Sequence, residues 1–93
     1  LSVVTVKCRR LETRHQAAEL RHDIERALIE SRRAIINARL VENISPEAAD
    51  ECWGVLAKRH GVEYVSERVL LPDLPTDQIF TIAKAMQDRA TEE

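Results

Sequence analysis

Ninety-three residues with a net charge of −2, 44% apolar side chains and only one Trp, one Tyr and one Phe suffice for one domain and are too few for two. A chain this short buries only about 60–65% of its unfolded surface, and a core left to Ala, Val, Ile and Leu suits interdigitated helices better than stacked sheets. Two cysteines make no disulfide framework, and neither a signal peptide nor a membrane-length apolar run is visible, so the expected setting is a reducing cytoplasm without membrane contact.

The charge is uneven. Residues 1–41 hold nine Lys/Arg against five Asp/Glu, while residues 42–93 hold five against eleven. A basic half joined to an acidic half suits nucleic acid at one end, head-to-tail pairing with itself, or two ordinary solvated surfaces.

Residues 1–12 read as an arm or a strand, because Ser2-Val3-Val4-Thr5-Val6-Lys7-Cys8 is rich in β-branched side chains. Thr13-Arg14-His15-Gln16 fits a capping box, in which the Thr hydroxyl and the Gln amide satisfy free amides at a helix start. From there to Glu42 neither Gly nor Pro occurs, which predicts one long helix over 13–43. Its main apolar face carries Ala17, Leu20, Ile24, Ala27, Leu28, Ala34, Ile35, Ala38 and Val41, stepping by three and four like a coiled-coil seam. A second face carries Ala18, Ile29, Ile36, Leu40 and Ile44. An Arg stripe (Arg14, Arg21, Arg32, Arg39) runs on one flank, and Glu12, Glu19, Asp23 and Glu30 run on the other. About 29 residues in a helix make a rod of roughly 43 Å, longer than the roughly 32 Å diameter of a globule of this chain length. An overhanging rod with two apolar faces requires a partner.

Ser45 and Pro46 mark the start of a second helix over 45–61, with Ser as cap, Pro at the first helical position and Gly61 as terminator. Its apolar face takes Ala49, Cys52 or Trp53, Leu56 and Ala57. Residues 62–71 read as a strand or a short helix, the strand pairing with residues 2–8. Pro72 and Pro75 punctuate a loop, and a third helix over 76–90 turns Ile79, Phe80, Ala83 and Met86 inward. The expected class is mainly α, a single domain over 1–93 with a long N-terminal helix, two shorter helices and a minor two-stranded β element (2–8 with 62–70).

Chemistry is sparsely marked. Cys8, His15 and His22 are spaced by seven, about 10 Å of helical rise, too far for neighbouring members to share a metal; Cys52 and His60 fail by the same arithmetic. Neither a phosphate-binding Gly-rich loop nor a nucleophile elbow is present. The expectation is a protein without catalytic residues, metal or cofactor. The stretch Leu56-Ala57-Lys58-Arg59-His60-Gly61-Val62 resembles the first helix and turn of a helix-turn-helix unit, with Ala four residues before the turn Gly. That resemblance implies a reading helix over 63–71 carrying Tyr64, Ser66, Glu67 and Arg68, in a small DNA-binding regulator. The alternative there is a helix stopped by Gly with a return strand.

The preferred expectation is an interaction or adaptor protein, a homodimer joined through the long helix by Leu20, Ile24, Leu28, Ile35 and Ala38, with Ile29, Ile36 and Leu40 on the second face. A further protein partner, whose surface this chain would occupy as an inhibitor, is a third reading. Nucleic acid is the second, with Arg14, Arg21, Arg32, Arg39, Lys58, Arg59 and Arg68 as contacts.

Overall fold

In the computed structural model, residues 1–92 are described. The chain runs β1 (Ser2–Thr5), β2 (Arg10–Leu11), α1 (Arg14–Glu30), β3 (Ala34–Asn37) and β4 (Asn43–Ile44). Then come α2 (residues 46–60), α3 (Val62–Arg68), β5 (Val69–Leu70) and α4 (Thr76–Ala90). Within α2 the backbone is α over Pro46–Ala49, π over Asp50–Gly54 and α again over Val55–His60. The protein is mainly helical around small parallel sheets, and among the described residues no helix is long and apolar enough to cross a membrane.

The single long helix is not there. α1 starts at the expected capping box, where the Gln16 amide N–H donates to Thr13 Oγ1 at 3.1 Å and Gln16 Oε1 accepts from the Thr13 N–H at 3.2 Å. It ends at Glu30, because Ser31 is extended (φ −149°). Ala34–Asn37 is instead a strand, its side chains alternating between buried and half-buried. Ala34, Ile35 and Ala38 fit helical spacing on paper, but a four-residue apolar run satisfies both periods and neighbours decide it. Here the neighbours are strands on both sides. β3 lies between β1 and β5, and all three run parallel, with Ser2 beside Ala34, Val3 beside Ile35, Ala34 beside Val69 and Ile35 beside Leu70. Parallel neighbours need long crossovers, usually helical. α1 supplies the first, and α2 with α3 the second.

Residues 2–8 and 62–70 do not pair with each other, since β3 separates β1 from β5. Residues 62–68 are helical and only Val69–Leu70 is strand, so each reading of 62–71 holds for part of the segment. A separate two-stranded parallel sheet sets β2 beside β4, with Arg10 opposite Asn43 and Leu11 opposite Ile44.

The core lies between the sheet and the helices. Val4, Ala34, Ile36 and Val69 point into it from the strands. α2 is the central helix, packed against α1 on one side and α4 on the other. Both Cys52 and Trp53 are therefore buried, along with Ala48, Ala49, Leu56 and Ala57. The π turn is marked by the Val55 N–H reaching the Asp50 carbonyl, five residues back. Ser45 caps α2 as expected, its Oγ accepting from the Ala48 N–H at 3.0 Å, with Pro46 at the first position. Gly61 stops the helix at φ +95°. α4 is rotated from the expected orientation. It buries Gln78, Ile82, Ala85 and Met86, leaving Ile79 at the margin and Phe80 69% exposed.

Ion pairs bind the helices at the π turn. Arg89 of α4 grips Asp50 with two bonds, at 2.7 and 3.0 Å, and Arg14 of α1 reaches the same carboxylate at 2.8 Å. Buried Arg21 of α1 donates to Glu51 Oε2 at 2.6 Å. Arg89 foremost, then Arg14, holds the Asp50 carboxyl at about 2, below its ordinary 3.8, against the opposing effect of burial. Arg21 likewise lowers Glu51.

Candidate interaction surface

The residues expected to form an oligomer seam are divided by the fold. Leu20, Ile24, Ile36 and Ala38 are buried in the domain's own core, and Leu28 is packed against it. Ile29 is 86% exposed near the end of α1, and Leu40 is 55% exposed in the loop after β3. Ile35 is half-buried on the sheet. A continuous seam over these eight residues does not exist, because the helix that would align them ends at Glu30.

Most of the basic set is engaged internally. Arg14 and Arg21 serve Asp50 and Glu51; Arg59 pairs with Glu25 at 3.2 Å, Lys58 with Glu92 at 2.7 Å and Arg39 with Asp73 at 3.9 Å. The Arg68 guanidinium lies 4.6 Å from the Tyr64 ring centroid and donates to the Arg32 carbonyl at 3.4 Å. Arg32 is exposed. The segment expected to read DNA is the seven-residue α3, which ends at Arg68, buries Val65 and delivers β5 to the sheet. One residue, Gly61, separates it from α2.

The thiols and histidines do not converge. Cys52 is fully buried, and burial pushes its thiol well above the ordinary range, which disfavours the nucleophilic thiolate. His15 is 2.8 Å from Glu19, and His60 is 3.5 Å from Glu25. Among the described residues, no group of three or more His, Cys, Asp or Glu is placed to hold a metal.

The sheet itself carries a surface that the sequence reading missed. Its residues alternate between faces. Val4, Ala34, Ile36 and Val69 look toward the helices, so Val3, Thr5, Ile35, Asn37 and Leu70 occupy the other face. The register aligns Val3, Ile35 and Leu70 as one apolar row across all three strands. Val3 is 63% exposed and Thr5 exposed, while Ile35, Asn37 and Leu70 are half-buried. All-parallel sheets are ordinarily covered on both faces. This one is covered on one.

The sheet's two edges differ. β5 is two residues long and is soon followed by Pro72. β1 is longer, and from Leu1 to Val6 it has no charge and no proline, the usual devices that blunt an edge. The Ser2 and Val6 N–H groups donate inward, to the Arg33 and Asn37 carbonyls at 3.0 and 2.9 Å. By alternation, the main-chain groups of Val3 and Thr5 face outward from the sheet. A groove of about 260 Å³ follows this edge, lined by β1, Lys7 and the α1 residues Asp23, Arg26 and Glu30. The signal in the sequence was the recurrence of short uncharged runs rich in Val, Ile and Leu at 2–6, 34–37 and 69–71, spaced by helical segments, which is the pattern of parallel strands with helical crossovers.

A second concavity, about 470 Å³ and largely apolar, lies between α3, β5 and α4. Trp53, Val65, Val69, Ile79, Ile82 and Met86 are among its walls. The Trp53 indole N–H is buried without a hydrogen-bond partner among the described residues. The sequence matches no family model, no curated protein and no solved structure.

Proposed function

We propose that this chain is a non-enzymatic protein-interaction module that self-associates, using the open β1 edge of its parallel sheet. The observation that carries the reading is the open edge of that sheet. β1 is an unblunted edge strand, and Val3 on it is 63% exposed at the end of an apolar row whose other members, Ile35 and Leu70, are half-buried. The long helix expected over 13–43 does not contribute to the reading. α1 has 17 residues, about 25 Å, and fits within the longest molecular dimension of 34 Å.

Molar mass by light scattering, followed over a wide range of protein concentration, tests the reading. A mass rising from one chain toward two is expected. Val3→Asp places a charge on the apolar row at a site already open to water, so it should shift that rise to higher concentration without lowering the melting temperature. A single-chain mass at every concentration would remove self-association from the account.

A further inference from the structure

We infer that two copies join through β1, strand against strand and antiparallel, about a two-fold axis at Val4. This rests on the self-association reading above and specifies its geometry. A two-fold axis presents the same patch of both copies to each other, and β1 meets itself properly only in the antiparallel sense. The outward main-chain groups belong to Val3 and Thr5, so an antiparallel neighbour must set these residues against each other in hydrogen-bonded pairs. The register with Val3 opposite the partner's Thr5, and Thr5 opposite the partner's Val3, does this twice. It leaves Val4 opposite the partner's Val4, and it brings Lys7 beside the partner's Leu1.

The charges at the ends of the edge fit the same register. Glu30 lines the edge groove with Ser2, near the start of β1, while Lys7 lies beyond the strand's other end. Neither has an ion-pair partner among the described residues. Within one copy both line the same groove without pairing. Across the two-fold axis, Lys7 of each copy arrives at the Ser2–Glu30 end of the other, giving two equivalent attractions. The three strands of each copy then continue into one six-stranded sheet, and the apolar row of one copy extends through Val3 to the partner's Thr5. Such an edge contact is small for a specific interface, so the dimer equilibrium must be read from a concentration series.

Proline at an outward-facing position separates pairing from folding. The Val3 N–H faces away from β3, so Val3→Pro removes no bond inside the domain, and proline is tolerated in that orientation on an edge. It should raise the dissociation constant measured by sedimentation at least about a hundredfold, through two lost main-chain bonds and the ring's bulk. Lys7→Glu should weaken the dimer about tenfold, and adding Glu30→Lys should restore it. Hydrogen exchange on the unaltered chain requires no substitution. The Val3 and Thr5 amides should become protected as concentration rises, while exchange at Ser66 stays constant. A dimer unchanged by Val3→Pro, with those two amides unprotected, overturns strand pairing and leaves self-association standing. A monomer throughout overturns both.

Discussion

Gly54 and Gly61 are the only glycines in the chain, and each is required for a different reason. A Cβ on Gly54 would lie 2.9 Å from both Arg89 Cγ and Asp50 Oδ1 and 3.2 Å from the Ala85 carbonyl oxygen. The Arg89 stem can swing away, but the α4 backbone can retreat only by separating two helices. Gly54→Ala should therefore cost about 1–3 kcal/mol, as overpacking does, and lower the melting temperature. Gly61 has open space around it but sits at φ +95°, where an L side chain is strained. Gly61→Ala should cost about 1–2 kcal/mol through the backbone alone. A thermal melt of each variant checks both, and an unchanged midpoint for Gly54→Ala would mean that α2 and α4 are less closely packed than described. The capping residues Thr13 and Ser45, the first-position Pro46 and the terminator Gly61 were all legible in sequence. Each acts through its own backbone and the next few amides, and so requires no knowledge of the rest of the chain.

At the scale of elements, burial reverses the meaning of two isoleucines. Ile24 and Ile29 both read as apolar faces of a helix needing cover, but Ile24 is fully buried and Ile29 is 86% exposed. Ile24→Asp should unfold the domain, at about 4 kcal/mol or more for an unpaired buried charge. Ile29→Asp should change stability by no more than about 0.5 kcal/mol. Chemical denaturation of the two variants measures the contrast, and a folded Ile24→Asp protein would contradict the core assignment. The end of α1 was not legible, since Ser31-Arg32-Arg33 contains neither Gly nor Pro and only tertiary contact selects strand for Ala34–Asn37. The rotation of α4 was hidden for a related reason. Its periodic pattern allows either Ile79 and Phe80 or Gln78 and Ile82 to face inward, and the close approach at Gly54 selects the second pair.

At the scale of the whole molecule, two helices converge on the π turn of α2, α1 through Arg14 and Arg21 and α4 through Arg89, on Asp50 and Glu51. Asp50 titrates at about 2 when folded, against an ordinary 3.8, so folding favours its charged form. The resulting stabilisation is complete above pH 3.8 and is lost as pH falls from there toward 2. It amounts to about 2 kcal/mol at most. Asp50→Asn should lower stability at neutral pH and flatten that acid limb, as followed by circular dichroism during acid titration. An acid limb of unchanged steepness would show that other carboxylates control it.

The amino-acid sequence by itself determined a mainly helical fold, the starts of two of its helices and the stop of one, because these depend on composition and on contacts a few residues apart. The tertiary structure decided that residues 34–37 are a strand, that β1 and β5 flank it rather than pair, and that the bare side of the molecule is a sheet edge and face. Parallel strands are joined by long crossovers, so their pairing is a property of residues some 30 positions apart and leaves only a faint local trace.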